Sequence, residues 1–173
     1  MKNPDFIQSK LFTLPALLRQ DSRWKFLSKK TVFTNGCFDI LHRGHIYSLS
    51  QAAKEADILI IGVNSDASVN KLKGENRPVN DQTSRALLLA SLIMVDAVVI
   101  FDEDTPLELI SALLPDVLVK GGDYTIEQIV GAKEVMANGG RVVINPIVEG
   151  FSTSNIIANI GNSPQNWKQE SPN

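Results

Sequence analysis

Two histidines occur among the 173 residues, and they stand three apart in Asp39-Ile40-Leu41-His42-Arg43-Gly44-His45. That spacing puts both imidazoles on one side of a helical turn. They follow a β-branched run, Thr31-Val32-Phe33-Thr34, and an Asn35-Gly36 turn. A strand, a glycine-containing turn and a helix start leave backbone N–H groups and the positive end of a helix dipole free for an anion. The chemistry this fits is phosphate handling, with His42 and His45 beside charge that builds on phosphate oxygens. A metal site is a competing reading, with Asp39 as third ligand, but two histidines and one carboxylate are thin for a dedicated centre. A capping histidine beside a core histidine is the third reading. The segment matches neither Gly-x-x-x-x-Gly-Lys-Ser/Thr nor Gly-x-Gly-x-x-Gly.

Further candidates lie on later turns. Lys71-Leu72-Lys73-Gly74 offers positive charge, Lys73 ahead of Lys71, against the alternative of a solvated loop. Asn64 and Asp66 close an apolar run, where turn capping competes for Asp66. Gly121-Gly122-Asp123 is a turn, on the simplest reading only the way into the next helix. Ser152 and Thr153 can cap a helix and still reach phosphate oxygens.

The elements that must position these residues alternate along the chain. Apolar runs at 31–35, 57–63, 97–101, 116–120 and 141–145 read as strands, the second nearly continuous as in a sheet covered on both faces. Helices are expected at 44–56, from Asn80 or Asp81 to about Met94, at 106–114, within 125–138 and from Gly150-Phe151-Ser152-Thr153 through Ile160. Leu14, Leu17, Leu18, Trp24 and Leu27 give residues 13–30 the apolar face of a leading helix, packed on this domain or on a second subunit. Residues 67–79 read as a loop and 1–12 as poorly ordered. The sum is an α/β, Rossmann-like fold: a five-stranded parallel sheet with helices on both faces. The candidate loops all follow strands, which gathers them on the carboxyl rim where such sheets bind ligands. The organisation is an extension at 1–30, a domain at 31–160 and a disordered tail at 161–173, rich in Pro, Asn, Ser and Gln.

Composition narrows the partners. With 17 basic and 19 acidic residues, net −2, there is no electrostatic reason to expect nucleic acid or an anionic membrane. One cysteine, Cys37, excludes an internal disulfide. Lys2, Asp5, Lys10 and Arg19 argue against a signal peptide, and no apolar run reaches the ~20 residues that span a bilayer. A cytoplasmic protein is expected.

The segment Thr34–His45 resembles the N-terminal signature of the HxGH nucleotidyltransferase superfamily. Downstream, Gly62–Val69, Leu72-Lys73-Gly74, Arg77-Pro78-Val79, Val95-Asp96, Asp104-Thr105-Pro106, Pro115–Tyr124 and Gly150-Phe151-Ser152-Thr153 resemble the D-glycero-β-D-manno-heptose 1-phosphate adenylyltransferases, over residues 31–160. The resemblance implies transfer of AMP from ATP to a sugar 1-phosphate, giving an ADP-heptose for cell-surface polysaccharide and pyrophosphate. Attack on the α-phosphorus would be in line, with no covalent enzyme intermediate and with Mg²⁺ held by the ATP phosphates rather than by side chains. It implies His42, His45 and Lys73 as catalytic residues. Around the nucleotide it implies Thr34, Asn35, Gly36, Phe38, Asp39, Asn64, Asp66, Lys71, Gly121, Gly122, Asp123, Ser152 and Thr153. A homo-oligomer, a dimer in the first place, and a separate sugar kinase are the expected partners.

Three positions depart from the related glycerol-3-phosphate cytidylyltransferases: Ile147 and Met94 stand where arginines are found, and Ser154 where a second threonine is common. Arg77 or Arg85 could restore the charge. The departures weigh against the alternative of a glycerol-3-phosphate type cytidylyltransferase. A non-catalytic ATP-binding module is the second alternative.

Overall fold

The computed structural model describes residues 5–146 and 151–162. The apolar runs become parallel strands of one sheet: β1 (Leu11–Phe12), β2 (Thr31–Gly36), β3 (Ile58–Asn64), β4 (Ala97–Phe101), β5 (Val117–Gly121) and β6 (Arg141–Asn145). The order across the sheet is β1-β4-β3-β2-β5-β6. The chain therefore builds outward from β2 in one direction and then returns to its other side, so the strand order reverses between β2 and β5. That reversal is where open α/β sheets bind ligands, beyond the carboxyl ends.

Helices α1 (Asp5–Gln8), α2 (Leu14–Phe26), α3 (Arg43–Ala52), α4 (Asp66–Lys73), α5 (Gln82–Ala90), α6 (Leu107–Leu113), α7 (Ala132–Ala137) and α8 (Thr153–Asn162) connect or flank the strands. Side-chain alternation splits the core into two layers. Val32, Leu59, Ile61, Val63 and Val98 face Leu49 and Ala52 of α3 and Ala86, Leu89 and Ala90 of α5. Phe33, Ile60, Val99 and Leu118 face Leu17 of α2, Ile110 and Leu113 of α6 and Val135 of α7. At the amino end of the sheet, carboxylates lace neighbouring strands: Asp116 accepts from Thr31 N–H at 2.9 Å and Asp96 from Leu59 N–H at 2.8 Å.

The sheet has six strands where five were expected. Residues 5–12, expected to be poorly ordered, form α1 and the edge strand β1, in register with β4 through Leu11↔Val98 and Phe12↔Val99. The leading helix is shorter than 13–30. Its Leu17 is fully buried against this domain, whereas Phe26 and Leu27 are exposed. The expected loop at 67–79 begins as α4, because Ser65 Oγ caps it by accepting from Ser68 N–H at 3.2 Å. Asp81 caps α5, which stops at Ala90 rather than near Met94. The stretch 125–138 holds one 3₁₀ turn, Ile126–Gln128, and α7. Ile147 and Gly150, and the tail from 163, lie outside the described residues.

Candidate functional site

Helix α3 starts on its own first histidine. His42 is the N-cap, and its Nδ1 accepts a hydrogen bond from Gly44 N–H at 3.1 Å. An accepting Nδ1 leaves Nε2 as the protonated nitrogen of the neutral ring. Position 44 is tight for anything larger than glycine, because a Cβ there would lie 3.0 Å from the His42 ring and 3.3 Å from Phe151 Cβ and would push them back by a few tenths of an ångström. His45, one turn on, stacks against His42 with centroids 3.9 Å apart and planes at 25°. Phe38 packs on the other imidazole neighbour, His45, at 5.3 Å, from a left-handed backbone with φ +49°. A non-glycine residue held there stores strain of about 1–3 kcal/mol, which clusters at ligand sites.

Burial pulls the His45 pKa down to about 4, with repulsion from His42 adding to it. Burial lowers His42 as well. Both rings are thus neutral at pH 7, and His45 Nδ1 is buried without a hydrogen-bond partner among the described residues. In the free protein a ring whose folded pKa lies below its unfolded value near 6.5 removes stability as pH falls from about 6.5 towards 4. A bound polyanion has the opposite effect and raises the imidazole pKa. Binding of a phosphate chain, with inorganic tripolyphosphate as the probe, is therefore expected to take up protons and to tighten between pH 7.5 and 6. Calorimetry in buffers of different ionisation enthalpy reads the uptake, and His45→Gln should diminish it. Binding with no proton uptake would contradict this electrostatic account.

Around the histidines lies a cavity of about 380 Å³ lined by Cys37, Phe38, Asp39, His42, His45, Lys73, Arg77, Phe151, Ser152, Thr153 and Ser154. Of the expected residues it gathers His42, His45, Lys73, Phe38, Asp39, Ser152 and Thr153. Thr153 Oγ1 donates to Ile40 C=O at 3.4 Å, which ties the start of α8 to the turn after β2. Arg77, one of the two arginines that could restore the missing charge, also lines it, and Cys37, Phe151 and Ser154 are additions. Burial raises the Cys37 thiol, so it stays protonated.

Other expected residues are placed elsewhere. Lys71 pairs with Asp104 at 3.1 Å on the exposed surface. Asn64 Nδ2 donates to Ser68 Oγ at 3.0 Å inside the protein. Asp66 accepts from Arg85 at 2.7 Å. Thr34 is buried in β2, and Gly36 ends that strand with its Cα facing the Phe38 ring. Gly122 has φ +134°, and a Cβ there would sit 2.6 Å from the Tyr124 ring, so the turn itself demands glycine. Gly121 closes β5, and Asp123 is exposed beside it. Replacing Lys71 by alanine should leave kcat and KM within about twofold of wild type, as for an exposed ion pair. Replacing Lys73 should not. Steady-state kinetics of the two variants distinguishes them, and equal losses would contradict this placement.

A second cavity, about 190 Å³, lies on the opposite side of the β2 carboxyl end and is lined by Asn35, Pro106, Leu118, Lys120, Tyr124, Gln128, Ile129 and Val130. Lys120 Nζ donates to Asn35 Oδ1 at 3.2 Å, and burial lowers its pKa. Asn35 thus faces this cavity, while Cys37, two residues on, lines the first. Lys120 falls inside the matching segment Pro115–Tyr124 but is not singled out there, because a lysine in an apolar strand announces its direction only once the sheet register is known.

The pattern of the cytidylyltransferase-like family matches residues 33–159. Bifunctional protein HldE of Hyphomonas neptunium is 55% identical over 148 residues, 86% of this chain and 30% of that protein. Bifunctional protein HldE of Caulobacter vibrioides is 58% identical over 135 residues, 78% of this chain and 28% of that one. The chain thus spans under a third of the length of these curated relatives. Among solved structures, a lipopolysaccharide core biosynthesis protein from Thermoplasma volcanium superposes with a TM-score of 0.56 at 28% identity, over 69% of this chain and 97% of that one. Pantoate-beta-alanine ligase from Francisella tularensis shares the fold alone, with a TM-score of 0.62 at 14% identity over 85% of this chain and 72% of that one.

Proposed function

The chain belongs to the cytidylyltransferase-like family, and from that premise we propose that it transfers AMP from ATP to D-glycero-β-D-manno-heptose 1-phosphate, giving ADP-heptose and pyrophosphate. The observation that carries the reading is the stacked, neutral His42–His45 pair at the start of α3, in a cavity that also holds Lys73, Arg77, Ser152 and Thr153. An oxygen of the sugar phosphate attacks the α-phosphorus in line, and the bond from that phosphorus to the β-bridging oxygen breaks. Such a transfer depends on positioning and charge stabilisation. His42, through Nε2–H, and His45 hold the α- and β-phosphates as charge builds, beside the positive end of the α3 dipole. Ser152, Thr153 and the start of α8 receive the β- and γ-phosphates, and Lys73 neutralises the departing pyrophosphate. The second cavity, with Lys120, Asn35 and Gln128, offers the acceptor's ring and hydroxyls a partly polar wall.

Mg²⁺ belongs to the proposal. Among the described residues no group of three His, Cys, Asp or Glu could hold a metal. The buried carboxylate at the cavity, Asp39, is committed to Arg77, Val79 and Asn80. The donor set that fits the ion is therefore the triphosphate itself, on which Mg²⁺ screens charge. No described helix is long and apolar enough to cross a membrane, and we place the reaction in the cytoplasm beside a kinase that supplies the sugar 1-phosphate.

A screen of nucleotides and phosphorylated acceptors for pyrophosphate release tests the assignment. ATP with heptose 1-phosphate should be the productive pair. Turnover with CTP and glycerol 3-phosphate, and none with that pair, would overturn it.

A further inference from the structure

We propose that Arg77 binds the phosphate of the acceptor and that Asp39 is the positioning residue that aims it; this rests on the transfer reaction proposed above. The cations near the cavity divide by how they are engaged. Arg85 is fully buried and closed in by protein, donating to Asn80 C=O at 2.9 Å, Cys37 C=O at 2.6 Å and Asp66 at 2.7 Å. Arg43 lies over the Phe151 ring at 5.5 Å. Lys120 belongs to the other cavity. Lys73 and Arg77 line the first one.

Arg77 is held by one edge only. Its Nε donates to Asp39 Oδ2, and its side chain keeps 18% exposure at the cavity wall. The terminal guanidinium nitrogens make no hydrogen bond within the described residues. A guanidinium tied at Nε presents a second edge with two parallel N–H groups, the geometry that matches a phosphate bidentately.

Asp39 makes that edge a fixed feature. It is buried, and Oδ1 accepts from Val79 N–H at 2.7 Å and Asn80 N–H at 3.0 Å. Asn80 Nδ2 returns a bond to Asp39 C=O at 2.6 Å. Burial alone would raise the carboxyl pKa, but the Asn80, Arg77 and Val79 donors outweigh it and keep the group ionised. With three donors on its oxygens and its side chain 1% exposed, Asp39 acts through Arg77 and the 77–80 turn.

The reaction requires two phosphate-bearing substrates to meet. The α3 start with its histidines, the α8 start and Lys73 are occupied by the triphosphate in the proposed mechanism. Arg77 is the remaining cation of that cavity, and a second phosphate brought there without one would be repelled by the first.

The test compares Arg77→Ala, Arg77→Lys, Asp39→Asn and the double variant Arg77→Ala/Asp39→Asn with wild type. It measures KM for heptose 1-phosphate, Kd for an ATP analogue and thermal melting. Losing a bidentate charged contact should raise the acceptor KM at least about tenfold in Arg77→Ala, with the ATP-analogue Kd within about twofold. Arg77→Lys should recover only part of the loss. The double variant should be no worse for the acceptor than Arg77→Ala, since Asp39 acts through the arginine. Arg77→Ala leaves the buried carboxylate with two backbone donors, so it remains informative even if Asp39→Asn fails to fold. An equal loss of ATP-analogue affinity, an unchanged acceptor KM, or an acceptor KM that follows Lys120→Met and not Arg77→Ala overturns the assignment. Wild type without turnover on any sugar 1-phosphate sinks the proposed function and this inference together; wild-type turnover with an unchanged Arg77→Ala sinks the inference alone.

Discussion

His45→Ala is expected to lower kcat by about 10²–10³, the usual cost of removing one donor aimed at developing oxyanion charge, while the fold survives. The ring is partly buried, its Nδ1 has no partner, and its pKa of about 4 shows how poorly the site accommodates a proton before an anion arrives. A polar atom buried without a bond is already unfavourable, so its removal offsets part of the packing lost with the imidazole. His42→Ala should cost a similar factor and also loosen the first turn of α3, because Nδ1 holds the Gly44 N–H. Single-turnover rates together with circular dichroism melts separate chemistry from folding. A His45→Ala protein that turns over at the wild-type rate would contradict the assigned role, and so would one that is unfolded.

Arg85→Ala should act in the opposite sense, on stability rather than chemistry. Arg85 is 0% exposed and joins three parts of the chain: the turn after β2 through Cys37 C=O, the turn before α5 through Asn80 C=O, and the start of α4 through Asp66. Its loss leaves two carbonyls without their donor and a void the size of a guanidinium and its stem. At roughly 1–3 kcal/mol per unsatisfied buried group, plus the void, the expected cost is about 3–5 kcal/mol. Arg85→Lys cannot recover it, since one ammonium cannot reach three acceptors arranged around a planar fork. Denaturant unfolding measures the difference, and a loss below about 1 kcal/mol would contradict the structural role.

Much of this architecture is legible in the residues, for reasons that can be named. The strands at 97–101 and 141–145 fall where the apolar runs lie, the first because a strand covered on both faces requires unbroken apolar character, the second, at the sheet edge, through the run Val142-Val143-Ile144. β1 is not legible, since two residues carry no periodicity and the strand exists only by pairing with β4. α4 is hidden because Ser68 and Val69 are the buried positions on its inner face, and one of them is polar. The site divides in the same way. His42, His45, Ser152 and Thr153 sit at helix starts that the sequence marks by residue type. By residue type alone Lys71 and Lys73 look alike in a loop, and only the resemblance ranks Lys73 first; on a helix residues two apart point about 200° away from each other. One faces the cavity and the other meets Asp104. Arg77 and Arg85 could not be told apart either, because only the tertiary partners Asp39 and Asp66 decide which is left open and which is closed in.

Attack at the α-phosphorus of ATP is read by following the label from ATP labelled at either the α- or the γ-phosphate. With heptose 1-phosphate as acceptor, the α-label should appear in the nucleotide-sugar and the γ-label in pyrophosphate. A γ-label on the sugar, or release of ADP and inorganic phosphate in place of pyrophosphate, would contradict the account.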